Sequence, residues 1–183
     1  MMPLRQDESG NYSEASFLTA GGVLGAVAAT SPGSYLAVPN SRLDTVEVNA
    51  DTETGMRYSS EIVGNLNGPR WYSTGVLLPD GSVMAFNGAN RDEVVLPGSA
   101  TPVQMTERFD PETGEWTEMA TSLNPRTYHN TALLLPDGRV LVGGHAPINT
   151  AYLFSLNLEE LGLSPNDGRD PSFEIYNPPY VFK

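Results

Sequence analysis

The chain has 183 residues, of which 22 are acidic and 10 basic, so its formal charge is −12 and its pI is about 4.4. It contains no cysteine, which excludes disulfides and any zinc or iron–sulfur centre ligated by cysteines of this chain. The acidic balance argues against nucleic-acid binding, and no stretch approaches the about 20 apolar residues of a membrane span. With 18 Gly and 15 Pro, the composition indicates a turn-rich β protein, and the length alone suggests one domain.

The segment from Ser16 to Thr30 is a run of small and apolar residues that allows two interpretations. It has the composition of the apolar region of a secretory signal peptide. However, acidic residues outnumber Arg5 in the segment before it, where a signal peptide carries positive charge. The alternative is a short strand over Ala15–Thr19 that ends at Gly21-Gly22. We favour the strand, because it fits the repeat found in the rest of the chain.

Two segments of the chain repeat each other closely. Pro69–Gly88 reads PRWYSTGVLLPDGSVMAFNG, and Pro125–Gly144 reads PRTYHNTALLLPDGRVLVGG. In each, a Pro-Asp-Gly turn separates two apolar runs, which is a strong hairpin signal because glycine accepts the positive φ that the turn requires. The predicted hairpins pair Val76–Leu78 with Val83–Phe86, and Leu133–Leu135 with Val140–Val142.

A further pair of strands follows the first hairpin. Gln104–Phe109 and Trp116–Met119 are strand-like segments joined by a turn over Asp110–Gly114. A similar strand, turn and strand occur earlier in the chain, and another strand of this kind occurs near its end. These additional predicted strands are Leu43–Asn49, Met56–Ile62 and Ser172–Tyr176.

The chain is thus predicted to repeat a unit of four short strands about every 56 residues, the separation of Pro69 and Pro125. Four strands per unit and a period of about 50 residues are typical of kelch-like β-propellers. A two-sheet sandwich is the alternative, and it would make the similarity of the repeats accidental. Trp116 lies where kelch repeats place a large aromatic residue between blades, so we expect it to serve packing.

The predicted fold is therefore all-β, a partial kelch-like propeller of about three four-stranded antiparallel blades. Closed propellers usually have 4–8 blades, so we expect a fragment of a larger propeller with exposed edges, and the family resemblance given below implies that the complete propeller has seven blades. The predicted units are an incomplete blade (residues 1–68), a complete blade (69–124) and a blade with a Tyr-His pair (125–177), while the resemblance given below implies that residues 178–183 start a link to a further domain.

The second repeat resembles the galactose oxidase and glyoxal oxidase family, the copper radical oxidases. The residues that carry the resemblance are Arg126, Tyr128, His129 and the run Leu133–Val140. Downstream, Asn177–Tyr180 resembles the family's junction into a C-terminal immunoglobulin-like domain. The similarity covers residues 68–182, and the Tyr-His pair at this distance from LLPDGRV is more specific than the turn alone.

The resemblance implies that Tyr128 is an axial copper ligand and His129 an equatorial one, and phenolate and imidazole suit tetragonal Cu(II). Neighbours on a regular strand point to opposite faces, so both can reach one ion only if the strand is irregular. The second repeat has one residue more than the first between its Pro-Arg pair and its turn, which predicts a β-bulge or similar irregularity within Thr127–Thr131. Alternatively, His129 is a hydrogen-bonded residue at a channel rim, with Tyr128 packed below it.

By the same resemblance, the other parts of the family's site lie elsewhere. These are a radical cofactor made of a tyrosine cross-linked to a cysteine, and a second histidine ligand in the C-terminal domain. The Cys–Tyr cofactor cannot form within this chain, which lacks cysteine. His145 does not occupy the family's ligand position, so we interpret it as a rim residue.

Trp71 and Tyr72 are the aromatic pair of the first repeat. Arg70-Trp71-Tyr72 resembles the strand that carries the radical tyrosine in glyoxal oxidases, but it lies only one repeat before the Tyr-His pair. The spacing matches Tyr72 better to an aromatic residue of the family's substrate pocket, and we assign Tyr72 and Trp71 to that pocket. Packing between blades is the alternative for both.

The function implied by the resemblance is oxidation of primary alcohols or aldehydes by O2, which yields H2O2, with Tyr128 as the catalytic residue that accepts the substrate's hydroxyl proton. We expect this segment to be incomplete and inactive alone, and to need the remaining blades and the C-terminal domain. The resemblance also implies an extracellular protein, although the chain shows no convincing signal peptide. The alternatives are a non-catalytic kelch-type propeller that binds a glycan or protein partner, and a structural fragment without activity.

Overall fold

The structure, a computed structural model, describes residues 1–24, 36–90, 102–127, 129–144 and 171–183. Over these residues the chain forms three antiparallel sheets, a two-stranded ribbon and one turn of 3-10 helix. The predicted all-β fold class is confirmed. Among the described residues we find no helix with the length and apolarity needed to cross a membrane.

Twelve strands make up the described fold. They are β1 (Glu14–Ala20), β2 (Val23–Leu24), β3 (Leu36–Ala37), β4 (Ser41–Val48), β5 (Met56–Val63), β6 (Thr74–Leu77), β7 (Val83–Phe86), β8 (Met105–Asp110), β9 (Glu115–Thr121), β10 (Thr131–Leu134), β11 (Val140–Gly143) and β12 (Phe173–Tyr176), followed by the 3-10 helix Pro179–Phe182. The first sheet has the order β1-β4-β5, the second β6-β7-β8-β9 and the third β10-β11-β12, while β2 and β3 form the ribbon.

Both predicted Pro-Asp-Gly hairpins are confirmed. β6 pairs with β7, and β10 pairs with β11, each in an antiparallel register. Gly81 and Gly138 adopt φ of 84° and 85°, which only glycine takes without strain. In each turn the residue before the proline donates its N–H to the carbonyl of the residue after the glycine, at 2.8 and 2.7 Å. The strand predicted over Ala15–Thr19 is confirmed as part of β1.

An apolar layer lies between successive sheets. The layer between the second and third sheets includes Phe86 and Val140, both fully buried. The layer between the first and second sheets includes Phe109 and Trp116, whose ring centroids are 5.3 Å apart. The Trp116 indole N–H donates to Ser41 Oγ of the first sheet at 3.0 Å, so the predicted packing role of Trp116 between successive sheets is confirmed.

Candidate functional site

Two loops with the same construction precede the first strands of the second and third sheets. Each begins with a Pro-Arg pair, and each contains a non-glycine residue in the left-handed region two positions before the strand. These residues are Tyr72 with φ of 55° and His129 with φ of 50°. Such residues are uncommon, and they concentrate at functional sites where the surroundings hold them in place.

His129 therefore lies in an irregular segment of backbone, outside β10. This confirms the irregularity that the extra residue of the second repeat predicts within Thr127–Thr131. Counted back from the strands, Tyr72 corresponds to His129, so the extra residue of the second loop lies between Arg126 and His129. Tyr128 falls in that interval and lies outside the described residues.

The arginine of the first Pro-Arg pair anchors its loop in the protein interior. Arg70 and Glu107 of β8 form an ion pair, and the side chain of each is only 1% exposed. Arg70 Nη2 also donates to the carbonyl of Met105 at 3.0 Å, and Asn67 donates its backbone N–H and its side-chain amide to Glu107 Oε2 at 2.7 and 3.0 Å. Burial lowers the pKa of Arg70, and the adjacent Glu107 carboxylate offsets part of that shift.

The second Pro-Arg pair repeats this anchor ahead of His129. Arg126 is fully buried, and its Nε lies 3.4 Å from Glu174 Oε1 on β12. Its other nitrogens donate to Ser172 Oγ at 3.1 Å and to the carbonyl of Gly144 at 3.4 Å. Neither glutamate is among the site residues predicted from the sequence. A signal was present, because Glu107 and Glu174 each begin a Glu-x-aromatic-Asp/Asn pattern on the third strand of their unit.

A glycine that follows the second strand of the second sheet, and another that follows the second strand of the third sheet, lie against the two loops. A Cβ on Gly144, whose φ is 72°, would stand 2.6 Å from the carbonyl oxygen of His129. A Cβ on Gly88, whose φ is 96°, would collide with the carbonyl oxygen of Trp71. The Gly88 N–H donates to the carbonyl of Arg126 at 3.0 Å, so the segment that follows β7 is joined to the second loop.

Trp71 and Tyr72 differ in exposure. Trp71 is buried and forms a backbone bridge with Ala89, whereas Tyr72 is 38% exposed. Their ring centroids are 4.1 Å apart, with the ring planes inclined by 31°. Within the pair, then, Tyr72 is the aromatic ring open to solvent, and Trp71 packs against it. Assignment of both to a substrate pocket stays a prediction.

Of the two predicted copper ligands, Tyr128 and His129, only His129 lies among the described residues, and its role as a ligand stays a prediction. Its side chain is exposed, in the loop that precedes β10. Over residues 1–24, 36–90, 102–127, 129–144 and 171–183, no three His, Cys, Asp or Glu side chains are grouped to hold a metal ion. The described residues therefore fit one ligand position of a copper site, and they do not complete such a site by themselves. His145, like Tyr128, lies outside the described residues.

Two clefts lie among the described residues near the first sheet, and Ser73 of the first loop lines one of them. They have volumes of about 380 and 360 Å³, and Met2 lines both of them. One runs beside Leu43 and Phe109, the other beside Leu18 and Trp116, so both follow the contact between the first and second sheets. Neither is lined by Tyr72 or His129. We therefore locate the candidate site by the left-handed Tyr72 and His129 of the two loops, and not by the volume of a cleft.

Comparison with protein families gives a match over almost the whole chain. The sequence model described as "Glyoxal oxidase N-terminus" matches residues 1–180. Among curated proteins, the chain is 33% identical over 115 residues to an aldehyde oxidase, GLOX1, of Arabidopsis thaliana, which covers 61% of this chain and 17% of the relative. It is 40% identical over 76 residues to a galactose oxidase of Gibberella zeae, which covers 41% of this chain and 11% of the relative.

The chain also shares its fold with part of a solved structure, that of a fungal alcohol oxidase of the AA5 family in complex with copper. The TM-score is 0.64 at 22% identity, over 90% of this chain and 29% of the other chain. The chain thus spans less than a fifth of either curated relative and less than a third of the structural neighbour.

Proposed function

Because the chain belongs to the glyoxal oxidase N-terminus family, we propose that it contributes a copper-binding loop to a copper radical oxidase. The reaction is the oxidation of a primary alcohol or aldehyde by O2. An aldehyde reacts as its hydrate, so in both cases two electrons and two protons leave a carbon centre and the hydroxyl that it bears, and O2 receives them to become H2O2. The observation that supports this function most strongly is His129, exposed and left-handed, in the loop that leads directly into β10.

Within this proposal, each residue of the chain has a distinct task. His129 holds the copper ion, together with Tyr128, which also accepts the hydroxyl proton of the substrate. Tyr72 and Trp71 form the aromatic wall against which the substrate binds. Copper, when bound, supplies a Lewis acid and a redox centre. The family's Cys–Tyr cofactor needs a cysteine that this chain lacks, so we propose that the chain is inactive alone.

The three sheets fit the proposed division of the chain. We propose that residues 1–68, 69–124 and 125–177 are three units of a larger kelch-like propeller, because each proposed boundary falls between one sheet and the next. Residues 178–183 begin the link to a C-terminal domain, and Tyr180 holds this link against the third sheet by donating to the carbonyl of Gly138 at 2.5 Å. We further propose, from the family, that the complete protein is extracellular.

Replacing His129 by Ala is expected to weaken Cu(II) binding by the chain roughly tenfold or more, because the loop loses its imidazole ligand. The measurement is isothermal titration calorimetry with CuCl2. The matched control is His145→Ala, which removes the other histidine and should change the affinity by less than about twofold. The copper-loaded chain should form no H2O2 from any primary alcohol or aldehyde.

Two results would contradict this proposal. Equal copper affinities of His129→Ala and the unchanged chain would remove His129 from the metal site. Peroxide formation by the isolated chain would show that it needs no further residues. If the chain bound a glycan or a protein partner while binding no copper, the non-catalytic alternative would be supported instead.

A further inference from the structure

The side chain of Asn130, the residue after His129, joins the two loops of the candidate site. Its Nδ2 donates to the carbonyl of Tyr72 at 2.8 Å and to the carbonyl of Thr127 at 3.3 Å. Its Oδ1 accepts from Thr74 Oγ1 at 2.8 Å. One amide thus contacts both loops. It bonds to Tyr72 and Thr74 on the side of the first loop, and to Thr127 within its own loop.

These contacts match the chemistry of a carboxamide closely. Two backbone carbonyls face the end of the side chain that carries two N–H donors, and a hydroxyl faces the end that carries the acceptor. A carboxylate would place negative charge beside both carbonyls, and an aliphatic side chain would leave them without this donor. The amide is therefore suited to this position in a way that neither Asp nor Leu is.

The repeat itself does not require an asparagine here. Ser73 holds the corresponding place before Thr74 in the first loop, as Asn130 does before Thr131 in the second. The amide is thus specific to the loop that carries His129. A left-handed residue costs free energy, so its conformation persists only when contacts on both sides determine it. Gly144 lies close to the His129 carbonyl, and the Asn130 amide donates to the Thr127 carbonyl on the other side of His129 in the sequence.

We propose that Asn130 is a positioning residue, which fixes the His129 loop against Tyr72 and so sets the geometry of the copper ligand relative to the aromatic wall. This inference rests on the proposed function for its copper, but the positioning itself concerns only residues of this chain. Removal of the amide releases Tyr72 and His129 from each other, and both loops gain backbone mobility.

The test compares Asn130→Leu, which keeps the approximate volume, with Asn130→Ala, which avoids any problem of fit. Val76→Ala is the control, since Val76 is buried in the apolar layer between the same two sheets and makes none of the three Asn130 side-chain hydrogen bonds. The first measurement is metal-free 15N relaxation. In both Asn130 variants the order parameters of Tyr72 and His129 should fall from rigid values of about 0.85 to below about 0.6, and in the control they should stay rigid.

The second measurement is the electron paramagnetic resonance spectrum and affinity of bound Cu(II). Both Asn130 variants should shift the copper hyperfine splitting and weaken binding about tenfold, which is the range for residues that orient ligands. Thr74→Val, which removes one of the three hydrogen bonds, should give an intermediate effect. The Val76→Ala control should leave the spectrum unchanged.

The outcomes separate this inference from the proposed function. Unchanged order parameters in both Asn130 variants would overturn the positioning role, whether or not copper binds. Lower order parameters in a chain that binds no copper would overturn the proposed function and retain the positioning role. A changed copper spectrum that Val76→Ala reproduces would reduce Asn130 to a general contribution to stability, and so would also overturn the inference.

Discussion

Replacing Arg70 by Met is expected to lower the free energy of unfolding by about 3–5 kcal/mol, the cost of breaking a buried ion pair by removing one partner. Arg70 and Glu107 are both 1% exposed, so the remaining carboxylate cannot gain the water that would solvate its charge. The two donors of Asn67 lessen this cost without replacing the lost positive charge. Urea denaturation followed by tryptophan fluorescence measures the loss, because Trp71 adjoins Arg70 in the sequence.

The repeat supplies a matched control for this substitution. Arg126 is as buried as Arg70, but its partner Glu174 is 15% exposed and lies at 3.4 Å. Arg126→Met should therefore cost less, about 1–3 kcal/mol, since the glutamate can be rehydrated. The double variant Arg70→Met with Glu107→Leu should lose less stability than the sum of its single variants, by about 0.5–3 kcal/mol. Strict additivity would show that the ion pair contributes no coupling.

The strands of this fold were predictable because their determinants are local. A Pro-Asp-Gly turn between apolar runs specifies a hairpin by itself, since its glycine must take a positive φ. Gly81 and Gly138 do so, and the predicted segments pair, although Leu78 and Leu135 lie one residue beyond β6 and β10. Because Pro69–Gly88 and Pro125–Gly144 repeat each other, the hairpin predicted for one segment was also predicted for the other.

The anchors and the loop geometry were not predictable in the same way, because they depend on residues far apart in the sequence. Glu107 meets Arg70 across 37 positions, and Asn130 meets Tyr72 across 58. A count of residues predicted that the second loop is irregular, but it did not show that His129 is the left-handed residue. It also did not show that Tyr72 holds the same backbone conformation in the preceding loop.

Gly144→Ala is expected to be a strongly destabilising single-methyl change beneath the His129 loop, with a loss of roughly 3 kcal/mol or more. The substitution forces a non-glycine residue to a φ of 72°, and its Cβ would stand 2.6 Å from the carbonyl oxygen of His129. Gly55 has the same φ of 72°, but nothing lies within 4 Å of a Cβ placed there. Gly55→Ala should thus cost only the backbone strain, about 1–2 kcal/mol.

The difference between these two alanine variants isolates the contact beneath the His129 loop from the strain that both share. Because the His129 carbonyl is backbone, it can make room only if the whole loop shifts. Gly144→Ala should therefore also weaken Cu(II) binding, whereas Gly55→Ala should leave it unchanged. Thermal denaturation and copper titration of both variants measure the two effects. Equal losses of stability, with equal copper affinities, would show that the close approach of Gly144 does not hold the loop in place.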